Sequence, residues 1–213
     1  MKLRDIEFAV GELKQGKVVC LPTETVYGLA ADANNTSAIN KLYLTKKRPD
    51  NKPTSIAICN PCDIKLWAHY SNTKVTEDIN ALISYFWPGP LTLLFPASQS
   101  VPKIINKNTG KIAIRYSSNQ TLQSVIKLLG HGICLTSANF SGEKDGTIAQ
   151  KIEKIFPHLF VLEENESISG SPSTIIDLST TPYEVLREGN ITLGDLERVL
   201  GRISVTPRLI LVK

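Results

Sequence analysis

Lys17-Val18-Val19-Cys20-Leu21-Pro22-Thr23-Glu24-Thr25-Val26-Tyr27-Gly28-Leu29 joins a brief β-branched run to a polar turn. Lys17 to Leu21 reads as a short strand, and Pro22-Thr23-Glu24-Thr25 places threonine hydroxyls at its carboxyl end. Open α/β sheets bind their ligands there. Upstream, Leu3 to Leu13 carries apolar residues at helical spacing and stops at Gly16, a helix-terminating residue. A helix, a strand and a ligand-competent turn in succession set the α/β reading.

The alternation continues outward. Asn35 or Thr36 caps a helix whose inner face is Ala38, Ile39, Leu42 and Tyr43. Thr54 to Cys59 reads as a strand, and Val75, Ile79, Leu82, Ile83 and Phe86 mark a helix stopped by Trp87-Pro88-Gly89-Pro90. Leu91–Phe95, Ile112–Tyr116 and Ile133–Thr136 read as strands; Leu122, Val125, Ile126 and Leu129 form a helical stripe closed by Gly130. Ile148, Ile152, Ile155 and Phe156 line another helix; Ser173–Leu178 and Tyr183–Leu186 are a closing strand pair, and Thr192 begins a last helix. About seven strands result, in one domain spanning 1–213, with a twisted mixed sheet because some connections are too short for crossovers. Residues 163–172, acidic and then rich in Ser and Gly, are the candidate flexible segment, and the sequence leaves open whether they form a lid.

With 213 residues, 42% apolar and 21% charged, the chain has the composition of a globular domain. Its net charge of +4 suits an anionic ligand or an RNA partner without selecting either. Charges interrupt the apolar positions of Met1–Asp5, and no run approaches the roughly 18 apolar residues of a membrane span. The expectation is a cytoplasmic protein. Cys20 and Cys134 read as core residues, and Cys59-Asn60-Pro61-Cys62 as a chance C-x-x-C, since no second pair supplies zinc ligands. No protein-bound metal is expected.

The chemistry concentrates in two stretches. Thr45-Lys46-Lys47-Arg48-Pro49-Asp50-Asn51-Lys52 places four cations within seven residues at a helix end, and Thr136-Ser137-Ala138-Asn139-Phe140-Ser141-Gly142 leaves a strand as a small-polar loop. Cations facing hydroxyl and amide groups suit a polyphosphate. Arg115 ends Ile112-Ala113-Ile114, and Arg187 ends Val185-Leu186; a guanidinium so placed seeks a carboxylate or phosphate. Singly, each feature is ordinary turn or helix-end chemistry. Their repetition at strand ends is not.

Read together, Pro22–Leu29, Lys46-x-Arg48, Phe86-Trp87-Pro88-Gly89-Pro90-Leu91-Thr92, Ile114-Arg115, Ser137-Ala138-Asn139-x-Ser141-Gly142, Ser173–Asp177 and Arg187-Glu188-Gly189 resemble the YrdC-like family from about residue 11 to 189, with 190–213 as a C-terminal extension. The resemblance implies a sheet curled around a large basic cavity, in the short stand-alone form. It also implies synthesis of L-threonylcarbamoyl-AMP from L-threonine, bicarbonate and ATP, for the modified adenosine beside the anticodon of ANN-decoding tRNAs. Mg²⁺ would ride on the ATP, and the product would pass to the tRNA-modifying machinery. By the same resemblance, Lys46 and Arg48 are catalytic; Arg48, Lys52, Lys111, Asn139, Thr147 and Arg187 hold ATP; Thr25, Arg115, Ser137 and Ser173 hold threonine. Two positions depart from the pattern: Ala57 replaces a histidine of some relatives, and Lys111 replaces a small hydroxyl residue.

Three alternatives stand beside this. A sister group on the same fold would depart at K-x-R and S-A-N, which are intact here. A non-catalytic RNA-binding or ribosome-maturation module would bind RNA with strong salt dependence and turn over no ATP. Carbamoyl transfer in hydrogenase maturation would require further domains.

Overall fold

The computed structural model describes residues 3–70, 73–143, 146–164, 168–201 and 206–207. Along the chain run α1 (Leu3–Lys14), β1 (Val19–Leu21), β2 (Gly28–Asp32), α2 (Thr36–Lys46), β3 (Ser55–Ala57), a 3-10 turn (Pro61–Asp63), α3 (Ile64–Trp67), α4 (Thr73–Phe86), β4 (Leu91–Pro96), α5 (Lys103–Asn106), β5 (Lys111–Arg115), α6 (Gln120–Leu129), β6 (Ile133–Ser137), α7 (Ala149–Ile155), β7 (Phe160–Val161), β8 (Thr174–Asp177), β9 (Glu184–Arg187), α8 (Leu193–Leu200) and β10 (Thr206–Pro207).

The strands make one mixed sheet in the order β10-β9-β8-β4-β5-β3-β6-β2-β1-β7. The described strands outnumber the seven expected, chiefly through β2, β7 and β10. Gly28-Leu29-Ala30-Ala31-Asp32 has no β-branched residue, yet it pairs antiparallel with both β1 and β6. Tertiary pairing overrides its weak propensity. The short helices α3 and α5 were likewise absent from the sequence reading.

Helix ends follow local chemistry. The Asn35 side chain accepts from Ala38 N at 3.0 Å, and Asn119 does the same for Leu122 N at 2.9 Å. Thr192 and Asp195 form a reciprocal capping box on α8. Lys47 takes a left-handed conformation with φ 51°, and Arg48 N then donates to Tyr43 O, so α2 closes with Arg48 just beyond it.

Strand alternation divides the sheet into two faces. Leu91, Leu93 and Phe95 of β4, Ile112 and Ile114 of β5, and Ile176 of β8 join the larger core. Their alternating neighbours point the other way. On that second face, α1 and α6 cover β1, β2 and β6 through Val10, Leu13, Leu122 and Val125. Over β5, β4, β8 and β9 the face lines a cavity instead. Among the described residues no helix is long and apolar enough to cross a membrane.

Candidate functional site

The cavity has a volume of about 960 Å³, near the upper end for small-molecule sites. The carboxyl ends of β5 and β9 and the amino ends of β4 and β8 meet at one edge of it. Ala57, Arg115, Thr92, Ile175 and Arg187 are matched in register across five neighbouring strands. All five line the cavity.

Arg115 anchors one side of this rank and is only 9% exposed. Its Nη1 donates to Thr25 Oγ1 at 2.9 Å and its Nε to Gly89 O at 3.3 Å. Nη2 lies 2.8 Å from Glu24 Oε1, an ion pair that is too poorly aligned to count as a hydrogen bond. Ser117 Oγ donates to the other Glu24 oxygen. Burial raises the Glu24 pKa, but the Arg115 charge and the Ser117 hydrogen bond outweigh it and leave the carboxyl below its ordinary range. The carboxylate that Arg115 was expected to seek is therefore, within the protein, Glu24. Sequence reasoning missed it, although it stands beside Thr25 in the opening turn.

Arg187 anchors the other side. Its Nε donates to Ser173 O at 2.9 Å and its Nη2 to Ser173 Oγ at 3.0 Å. Ser173 Oγ in turn lies 2.8 Å from Thr92 Oγ1. Thr174, fully buried, receives Gly189 N and Ile191 N on its hydroxyl and fastens the turn after β9 to β8. That turn needs a glycine: a Cβ on Gly189 would stand 2.0 Å from Pro172 O.

Arg48 and Lys52 reach the cavity from the loop beyond α2. Arg48 Nη2 donates to Pro53 O at 2.6 Å and Nε to Lys52 O at 3.2 Å, so the loop wraps the guanidinium. Burial lowers the Arg48 pKa, with Tyr43 opposing. At the far end of the strands, Lys111 Nζ meets Asp177 Oδ2 at 2.7 Å. Asp177 also accepts from Ser179 N and Oγ. Lys111, whose charge had no target in the sequence, thus has an acidic partner that also lines the cavity.

Thr25, Ser137 and Ser173 line the cavity too, with Arg48, Lys52, Lys111, Arg115 and Arg187. Three candidate residues do not border it. Lys46 is 2% exposed, and its ammonium donates to Ser137 O, Asn139 O and Asn139 Oδ1. Asn139 also accepts from Ser137 Oγ at 2.8 Å and donates to Glu143 O at 2.6 Å. The K-x-R lysine therefore braces the S-A-N loop. Thr147 borders a smaller cavity with Tyr27, Gln150, Glu163 and Glu164. Of the candidate flexible segment 163–172, residues 165–167 lie outside the described residues; Ser169 N and Gly170 N donate to Glu24 O and Thr25 O. Cys59 and Cys62 are both free thiols, the first half-buried and the second exposed.

Comparison with known proteins meets this geometry. Residues 12–189 match the Sua5/YciO/YrdC family model, described as "Telomere recombination". The chain is 34% identical over 204 residues to threonylcarbamoyl-AMP synthase of Pyrococcus abyssi, covering 95% of this chain and 59% of that protein. It thus spans about three-fifths of that relative's length. It is 31% identical to the Bos taurus threonylcarbamoyl-AMP synthase, covering 93% of this chain and 72% of that protein. The crystal structure of P. abyssi Sua5 complexed with L-threonine superposes with a TM-score of 0.88 at 34% identity, over 95% of this chain and 59% of that one. With the motifs, the sheet and the cavity all in accord, this chain belongs to the Sua5/YciO/YrdC family.

Proposed function

We propose that this chain forms L-threonylcarbamoyl-AMP from L-threonine, bicarbonate and ATP, releasing pyrophosphate. The product serves threonylcarbamoyl modification of the adenosine beside the anticodon in ANN-decoding tRNAs, in the cytoplasm. One observation carries the reading: Arg48, Arg115 and Arg187, which are far apart in sequence, border one cavity large enough for two substrates. The L-threonine complex of a relative with the same fold supports it.

Five cations, Arg48, Lys52, Lys111, Arg115 and Arg187, line the cavity against Asp177 and Glu188. Lys111 is paired with Asp177 and Arg115 with Glu24, so Arg48, Lys52 and Arg187 are the cations that would meet a triphosphate. Threonine's amine and bicarbonate condense to an N-carboxylate with loss of water. Its oxygen attacks the α-phosphorus, and the P–O bond to pyrophosphate breaks. Such transfer depends on positioning and charge neutralisation. Arg48, Lys52 and Arg187 hold the phosphates, while Arg115, Ser137 and Ser173 hold threonine. Lys46 acts through the Ser137–Asn139 loop that it braces, as a positioning residue. Mg²⁺ would be carried by the ATP oxygens, which supply most of its ligands.

The test is pyrophosphate release from ATP, Mg²⁺ and bicarbonate with each amino acid in turn. Threonine-dependent release is expected from wild type and a loss of at least about 100-fold from Arg48→Ala, the scale of a transition-state charge contact. Threonine-independent ATP hydrolysis, or a folded Arg48→Ala variant with normal release, would overturn it.

A further inference from the structure

Two hydroxyl pairs in the cavity wall differ in where their protons go. In the first, Thr23 Oγ1 donates to Val26 O at 2.6 Å, so the 2.8 Å contact between Thr23 and Thr25 must use the Thr25 proton. Thr25 Oγ1 meanwhile accepts from Arg115 Nη1. Both protons of this pair are engaged by protein. Thr25 is a strut for Arg115.

The second pair is different. Thr92 and Ser173 are each 4% exposed, and their oxygens lie 2.8 Å apart. Arg187 Nη2 donates to Ser173 Oγ and uses none of the hydroxyl protons. Two hydroxyls carry two protons, and their mutual bond engages one. Among the described residues neither oxygen has a protein acceptor for the other. A buried O–H without an acceptor costs the desolvation of that group, so the pair is built to meet an acceptor from the cavity. Its place narrows the choice: Thr92 is register-matched with Arg115, about 5 Å away across the ladder. The Arg115 guanidinium stands there, its Nη2 buried and ion-paired with Glu24 Oε1. A hydroxyl donor between that guanidinium and the Arg187 guanidinium that holds Ser173 suits an oxygen of an anionic group such as a carboxylate.

We infer that Thr92 is a further substrate-binding residue: with Ser173 it presents one hydroxyl donor to a carboxylate-type oxyanion held beside Arg115. The inference rests on the proposed reading, in which two substrates bear that group. The oxyanion is the amino acid's α-carboxylate or hydrogencarbonate, and the chemistry of the pocket is shared by both.

Thr92→Val keeps the side chain's shape and removes the hydroxyl, while Thr92→Ser keeps the donor. With the full chain, KM is measured separately for threonine, bicarbonate and ATP. Melting temperature is read with and without acetate and bicarbonate as probes. Thr92→Val is expected to raise one carboxylate substrate's KM about 10- to 100-fold, the loss of a hydrogen bond to a charged group. The ATP KM stays unchanged, Thr92→Ser restores most of the loss, and the affected substrate identifies the source. An active wild type with all three KM values kept by Thr92→Val overturns the inference and leaves the synthase reading standing. So does an equal rise in all three. A wild type without turnover that acetate or bicarbonate stabilises, when Thr92→Val is not stabilised, supports the oxyanion site and sinks the synthase reading. No turnover and no probe-induced shift sinks both.

Discussion

Glu24 illustrates how a single side chain fixes the site before any ligand arrives. Its carboxylate holds Arg115 on one oxygen and Ser117 on the other. The Glu24 pKa is depressed despite burial, so its contribution to stability is fully present above the unfolded value of about 4.3. That contribution is lost as pH falls through the folded value. Below about pH 5 the wild type should therefore lose melting temperature steeply, and Glu24→Gln should lose it less steeply from a lower starting point. A melting series from pH 3 to 7 checks this; parallel acid limbs for the two proteins would remove Glu24 from the account. Lys111 and Asp177 form a second such pair at the opposite end of the strands. Its lysine was flagged in the sequence only as a charge without a target, because strand neighbours far apart in the chain leave no local signal.

At the scale of elements, what was legible was what is local. Capped helices with apolar stripes, such as α2 and α6, are written in a dozen consecutive residues, and both appear where Asn35 and Gly130 place them. The β2 strand was not legible, because Gly28–Asp32 owes its conformation to β1 and β6 on either side. Thr92 was readable in principle, as the polar position in an alternating strand, Leu91-Thr92-Leu93. Its pairing with Ser173, 81 positions on, was not. The same dependence on distant contacts makes the turn after β9 fragile. Gly189 faces Pro172 O so closely that a Cβ has no room, and the obstacle is backbone rather than a flexible side chain. Gly189→Ala should cost about 1–3 kcal/mol by overpacking. It should also loosen Arg187 from Ser173, so activity falls further than the melting temperature alone implies. An unchanged melting temperature with unchanged turnover would show that this turn can yield without cost.

For the molecule as a whole, the question is whether one cavity behaves as one site or two. Arg115 and Arg187 stand three strand steps apart, roughly 15 Å at their Cα atoms. Side chains that far apart act independently unless a network joins them. A network does join them in part: Arg187 holds Ser173, and Ser173 meets Thr92 beside Arg115. Ligands that bind only the folded state raise its stability by about 2.7 kcal/mol at a hundredfold excess over Kd. For a domain of this size that is roughly 5–10 °C. The expected pattern is therefore asymmetric when each variant is compared with its own ligand-free melting temperature. Arg48→Ala should lose the shift given by a non-hydrolysable ATP analogue and keep the threonine shift. Arg115→Ala should do the reverse. Arg187→Ala should diminish both, because in the proposed reading its guanidinium serves the phosphates directly and the amino acid through Ser173. If Arg187→Ala spares the threonine shift entirely, the hydrogen-bonded bridge across β8 and β4 does not couple the two ends, and the cavity is two independent half-sites sharing a wall.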